Sequence, residues 1–104
     1  MDSKHYELRV LPLFERDLNE IIDYISGVLQ NPIAAADMVD AVEKAIRERL
    51  TCPEAFEPYR SAREREHPYY RIAVKNYVIY YVVIDNIMEV RRILYNRRDI
   101  AKEI

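Results

Sequence analysis

One glycine, one cysteine, two histidines and no tryptophan among 104 residues remove several chemistries at once. A single glycine builds neither a phosphate-cradling Gly-rich loop nor the tight elbow that presents a nucleophilic serine. The lone Cys52 closes no internal disulfide and fits a reducing compartment. Beside Pro53 it has no activating partner and reads as a buried or inert thiol. His5 and His67 lack the Cys, Asp or Glu spacing of a metal centre, so no metal and no cofactor is expected. No stretch approaches the ~18 apolar residues of a membrane span. The opening Met-Asp-Ser-Lys-His-Tyr-Glu carries charge where a signal peptide carries an apolar run, so secretion is not supported either.

What is present describes one ordered domain over residues 1–104, with 50% hydrophobic and 33% charged residues. A chain of this size can bury about two-thirds of its unfolded surface and needs no staple. The net charge of −2 argues against a general polyanion binder. Charge is uneven, however. Residues 1–52 hold six Lys/Arg against ten Asp/Glu, whereas residues 53–104 hold ten against eight, together with seven of the nine tyrosines. Either the tyrosines simply follow strands, or an acidic protein carries a local basic and aromatic surface.

Residues 6–11 alternate and end at Pro12, as a short strand does. Phe14, Leu18, Ile21, Ile22, Ile25, Val28 and Leu29 then recur at steps of three and four, predicting a helix over about 13–29. Glu15, Arg16, Asp17, Asn19, Glu20 and Asp23 read as its solvated face. Asn31-Pro32 supplies an N-cap and a first helical residue for a second helix over about 32–50, with Ala35, Val39, Val42, Ile46 and Leu50 inward. Pro53, Pro58 and Pro68, with Arg60, Arg63, Arg65 and His67, mark a loop over 51–68. Three segments rich in Tyr, Val and Ile follow, 69–74, 77–84 and 87–94, joined by the two-residue turns Lys75-Asn76 and Asp85-Asn86. Residues 97–104 can add a short helix. The expected fold is α+β, β-α-α-β-β-β, an antiparallel meander with a helical hairpin on one face. The position of the first strand in the sheet is left open.

Counting outward from the turns predicts the pairs Arg71–Tyr80, Tyr81–Val90, Tyr80–Arg91 and Val78–Ile93. One face then shows Tyr70, Ile72, Val74, Tyr77, Ile79, Tyr81, Val83, Met88, Val90 and Leu94, with Arg92 its only charge. The other carries a row Arg71–Tyr80–Arg91, with Glu89, Ile93 and Tyr95 on the same side. Two arginines flanking a tyrosine suit a phosphate, a stacked base or an acidic peptide. The plainer reading has both arginines stacked on Tyr80 with Glu89 balancing one charge. A one-residue bulge would displace this alignment.

The segment Tyr70-Arg71-Ile72-Ala73-Val74-Lys75-Asn76-Tyr77-Val78-Ile79-Tyr80-Tyr81-Val82-Val83, followed by Glu89-Val90-Arg91-Arg92-Ile93-Leu94-Tyr95-Asn96-Arg97-Arg98-Asp99, resembles the RelE/ParE superfamily of type II toxin–antitoxin toxins. Tyr6 through Ile25 resembles the opening of that family, so the likeness spans nearly the whole chain. It implies a cytoplasmic growth inhibitor, of the kind that stabilises plasmids, bound and neutralised by a cognate antitoxin. Arg71 matches the arginine with which ParE-like sequences open this strand. Tyr95 stands where many of them carry His, and Arg97 and Arg98 match the arginines that follow. The ParE-like branch implies binding to DNA gyrase without catalysis, with Arg71, Tyr80, Arg91, Tyr95, Arg97 and Arg98 as target-binding candidates. The RelE-like branch implies ribosome-dependent cleavage of messenger RNA, for which Arg71, Arg91, Arg97 and Arg98 are the candidates for charge stabilisation and Tyr95, Tyr80, His67 or Glu89 those for acid and base, none of them fixed by a family match. Ile100-Ala101-Lys102 replaces the aromatic residue common in those nucleases, and a pI near 5.7 suits a phosphate-walled ribosomal site poorly. The ParE-like branch is therefore the expectation. A degenerate, non-toxic antitoxin-binding member is a third reading.

Overall fold

The computed structural model describes residues 5–59 and 66–97. In chain order these form β1 (Glu7–Val10), α1 (Pro12–Asp23), α2 (Pro32–Leu50), β2 (Tyr70–Val74), β3 (Tyr77–Ile84) and β4 (Ile87–Tyr95). The α+β architecture is the expected one. The tail from Arg98 onward, with its expected helix, and the loop arginines Arg60, Arg63 and Arg65 lie outside the described residues.

Pro12 opens α1, where its missing N–H costs nothing. The helix does not end at Asp23 but widens into a π-helical turn over Tyr24–Val28. Ser26 Oγ donates to the Ile22 carbonyl at 2.8 Å inside this stretch, a bond that commonly bends a helix. Gln30 then adopts a positive φ of 53°, and Asn31 N–H reaches back to the Ile25 carbonyl at 3.0 Å. Asn31 caps α2 as its sequence suggests, accepting the Ala34 N–H on Oδ1 at 3.0 Å.

The sheet order is β1-β4-β3-β2. The meander is antiparallel, but β1 joins the edge of β4 in parallel, Leu8 opposite Met88 and Val10 opposite Val90, so the whole sheet is mixed. Parallel neighbours need a long connection. Here the entire helical hairpin and two strands lie between them. The β2–β3 register is the one counted from the Lys75-Asn76 turn, with Arg71 opposite Tyr80. The positive φ of each turn falls on its first residue, Lys75 at 53° and Asp85 at 55°.

The β3–β4 register departs from the count. It holds from Ile84–Ile87 to Tyr81–Val90, then slips by one residue between Tyr80 and Tyr81. Tyr80 therefore pairs with Arg92 rather than Arg91, and Val78 pairs with Leu94 rather than Ile93. The slip is a bulge at Arg91, and side chains beyond it change faces. Ile93 joins the core beneath the helices, and Leu94 packs on the opposite side with Tyr69, Tyr80 and Val82.

Phe14 from α1, Met38, Val42 and Ile46 from α2, and Tyr70, Ile72, Ile79, Tyr81, Met88 and Val90 from the sheet make one core. Burying a side chain such as Phe14 contributes about 1.5–3 kcal/mol. The Tyr81 hydroxyl inside this core is satisfied twice, donating to the Pro53 carbonyl at 2.6 Å and accepting from Arg49 Nη1 at 2.9 Å. Those bonds tie the end of α2 and the start of the following loop to β3. Cys52, in that loop, is exposed rather than buried.

Candidate functional site

Alternation along β1 to β4 sends Arg9, Arg71, Tyr80, Glu89 and Arg91 to the sheet face away from the helices. Tyr59 and Tyr69 join them, because an isolated bridge brings the chain at Tyr59 against Tyr69, with Tyr59 N–H to Tyr69 carbonyl at 2.6 Å. The two tyrosines meet Tyr80 edge to face, with ring centroids 6.5 Å and 6.4 Å from it. Tyr80 is buried at 3% exposure, and among the described residues its hydroxyl has no hydrogen-bond partner. Burial raises its pKa, while the Arg71 charge pulls the other way.

The arginines do not stack on Tyr80 itself. Arg71 lies over the Tyr59 ring, 4.7 Å from guanidinium carbon to centroid, and Arg91 lies 5.7 Å from the Tyr69 centroid. Their chemical states differ. Arg91 Nε donates to Glu89 Oε2 at 2.7 Å and its Nη1 to the Tyr69 hydroxyl at 3.3 Å. Burial opposes the Arg91 charge, but the bonds to Tyr69 and Glu89 prevail and raise its pKa. Glu89 also accepts from Arg9 Nη1 at 3.1 Å. Burial would raise the Glu89 pKa, yet hydrogen bonds from Arg91 and Arg9 and their charges hold it below the usual carboxylate range. Arg71 is exposed, and its guanidinium has no hydrogen bond or ion pair among the described residues. Among the described residues, the face thus presents a guanidinium without an ion pair on an aromatic base, beside a second held by a carboxylate.

Arg92 and Asp17 form a separate assembly. Arg92 Nε and Nη2 donate to Asp17 Oδ2 and Oδ1 at 2.7 Å and 2.9 Å, and the Ile93 N–H adds a third bond at 3.2 Å. Asp17 is therefore buried at 7% exposure and is not part of a solvated face. The lone charge counted on the inward sheet face, Arg92, was the signal that a carboxylate must meet it.

Tyr95 does not share the arginine face. The bulge turns it toward α1, where its ring meets Tyr77 at 5.8 Å. Arg97 is exposed beyond the end of β4, and Arg98 lies outside the described residues. His67 sits in the loop with Glu66 Oε1 3.9 Å from its Nε2. The structure thus brings together Arg71, Tyr80 and Arg91 and leaves Tyr95 apart. Sequence reasoning missed Arg9 and Tyr59. Arg9 becomes visible only once β1 is placed beside β4, and Tyr59 carried no signal beyond membership of the tyrosine-rich half.

Among solved structures the chain is similar to one of the chromosomal ParDE TA system from P. aeruginosa, with a TM-score of 0.69 and 17% sequence identity. That match covers 89% of this chain and 98% of the other, and at such identity it shows the fold. No curated protein matches the chain by sequence. The family model for the ParE toxin of type II toxin–antitoxin system, parDE, matches residues 8–100. The chain belongs to the ParE toxin family of type II toxin–antitoxin systems. No helix among the described residues is long and apolar enough to cross a membrane.

Proposed function

We propose that this single-domain toxin inhibits growth in the cytoplasm by binding a protein target, DNA gyrase, through the Arg–Tyr face, and that a cognate antitoxin neutralises it. The observation that carries the reading is the contrast between Arg71, which rests on the Tyr59 ring with no ion pair among the described residues, and Arg91, held by Glu89. An open guanidinium on a rigid aromatic support is a recognition group for a carboxylate or phosphate. Ribonuclease chemistry needs an acid and a base converging on the same point. Glu89 is ion-paired twice with a lowered pKa, Tyr80 is buried with a raised one, and Tyr95 faces elsewhere. That distribution favours binding over catalysis.

The test is induction of the chain in cells. DNA breaks that disappear when gyrase is depleted, with messenger RNA intact in a translating extract, are the expected result. Codon-positioned cleavage requiring ribosomes overturns the gyrase reading and assigns the nuclease. For the antitoxin, co-expression with the small protein of the adjacent reading frame is expected to yield a stable complex and restore growth. No binding at micromolar concentration by any neighbouring product overturns that part.

A further inference from the structure

The change of face at the Arg91 bulge assembles a second site that the Arg–Tyr face does not use. A cleft of about 190 Å³ opens between α1 with its π-helical turn and the ends of β3 and β4, lined by Glu20, Tyr24, Tyr77, Leu94, Tyr95 and the Arg92-bound Asp17. Three of the nine tyrosines meet here. Tyr77 and Tyr95 stand edge to face at 67°, and burial first, then the charges of Tyr24 and Tyr95, raise the Tyr77 pKa. Asp17 is already neutralised by Arg92, whereas the Glu20 carboxylate has no hydrogen bond or ion pair among the described residues. Aromatic rings carry negative faces, phenol oxygens accept hydrogen bonds, and an unpaired carboxylate supplies a full negative charge. These features converge on one ligand chemistry: an organic cation, with the positive charge over the rings and against the carboxylate.

We propose that this cleft receives an arginine or lysine side chain presented by a partner protein. The site lies on the helix side of the sheet and is independent of the proposed gyrase contact. A polypeptide rather than a free small cation is indicated by the surface that continues from it. Tyr24 is 49% exposed, and Val28 and Leu29, one turn further along the same helix, are 69% and 55% exposed. This apolar strip gives a segment purchase beyond its basic residue. The surrounding half of the chain, residues 1–52, is acidic, with ten carboxylates against six cations, which steers a basic partner toward it.

The experiment is a titration of the full chain followed by NMR. The probes are N-acetyl-arginine N-methylamide, its neutral citrulline isostere, and the same arginine probe extended by two leucines. The arginine probe is expected to shift resonances of Tyr24, Tyr77 and Tyr95, the citrulline probe not. Glu20→Gln and Tyr95→Leu are each expected to weaken the arginine probe about tenfold, equivalent to ~1.4 kcal/mol. The leucine extension is expected to bind more tightly, with that gain lost in Val28→Ser. Equal binding of citrulline and arginine, or shifts that map to Glu89 instead, overturns the cation site. Equal binding of the short and extended probes assigns a free small cation and overturns the polypeptide partner. Binding that emerges only in an Arg97→Gln, Arg98→Gln variant assigns the cleft to the chain's own arginines and likewise overturns it.

Discussion

Removing the Asp17 carboxylate should be among the most damaging single changes in this protein. Asp17→Ala deletes the acceptor of two charge-assisted bonds from Arg92, at 2.7 Å and 2.9 Å, and of the Ile93 N–H at 3.2 Å. Both partners are well buried, with side-chain exposures of 12% for Arg92 and 8% for Asp17, so water replaces the lost bonds poorly. Breaking a buried pair by removing one partner costs about 3–5 kcal/mol. The orphaned Ile93 N–H places the value within that range rather than below it, since one unsatisfied buried donor alone costs about 1–3 kcal/mol. For a domain of this size a loss of about 3 kcal/mol lowers Tm by about 12–24 °C. Asp17→Asn keeps an acceptor and the shape but loses the charge, so an intermediate loss is expected. The double change Asp17→Leu, Arg92→Met replaces both charges by apolar groups of similar size and should recover most of the loss. The assay is urea and thermal unfolding of all four proteins. A cost for Asp17→Ala below about 1 kcal/mol refutes the reasoning, because surface changes alone reach about half of that.

Four further outcomes are expected. Arg71→Ala should abolish growth inhibition while changing stability by no more than about 1 kcal/mol, the worth of an exposed cation–π contact; Arg91→Ala should lower Tm measurably because it strips Glu89 of a 2.7 Å partner. Unfolding and growth assays on the two variants separate these, and a folded Arg71→Ala protein that stays fully toxic removes this face from the mechanism. Glu89 has a lowered pKa in the folded state, so its contribution is present above its unfolded value and fades as pH falls through the folded one. The Tm gap between the wild type and Glu89→Gln should therefore shrink on acidification from about pH 5 to pH 3, and a gap constant over that range contradicts the assignment. Gly27→Ala should stabilise by about 0.5–1 kcal/mol, since an added Cβ at this helical position meets nothing within 4 Å; a fall in Tm would mean that the π-helical turn needs glycine.

What the sequence by itself determined here is what short-range forces set. Asn31-Pro32 marks the start of α2 because a cap and a missing donor act within one turn. The β2–β3 register follows from the Lys75-Asn76 turn because a two-residue connection fixes which residues face each other. The family likeness rested on the three meander strands, the Arg-Arg-Asp that follows them and the opening from Tyr6 to Ile25, and the match over residues 8–100 agrees with it. Only the tertiary structure decided the rest. β1 could be recognised as a strand but not placed, since its parallel neighbour β4 lies some 80 residues away, as the Arg9–Glu89 pair records. The bulge at Arg91 is invisible to alternation, yet it exchanges Ile93 and Leu94 between faces and separates Tyr95 from the arginine row. Its physical reason lies across the core: Asp17 on α1 holds Arg92 and the Ile93 N–H together, a demand that no local pattern along β4 contains. A side chain's face in a sheet is settled by counting only until a partner elsewhere in the chain pulls one residue out of step.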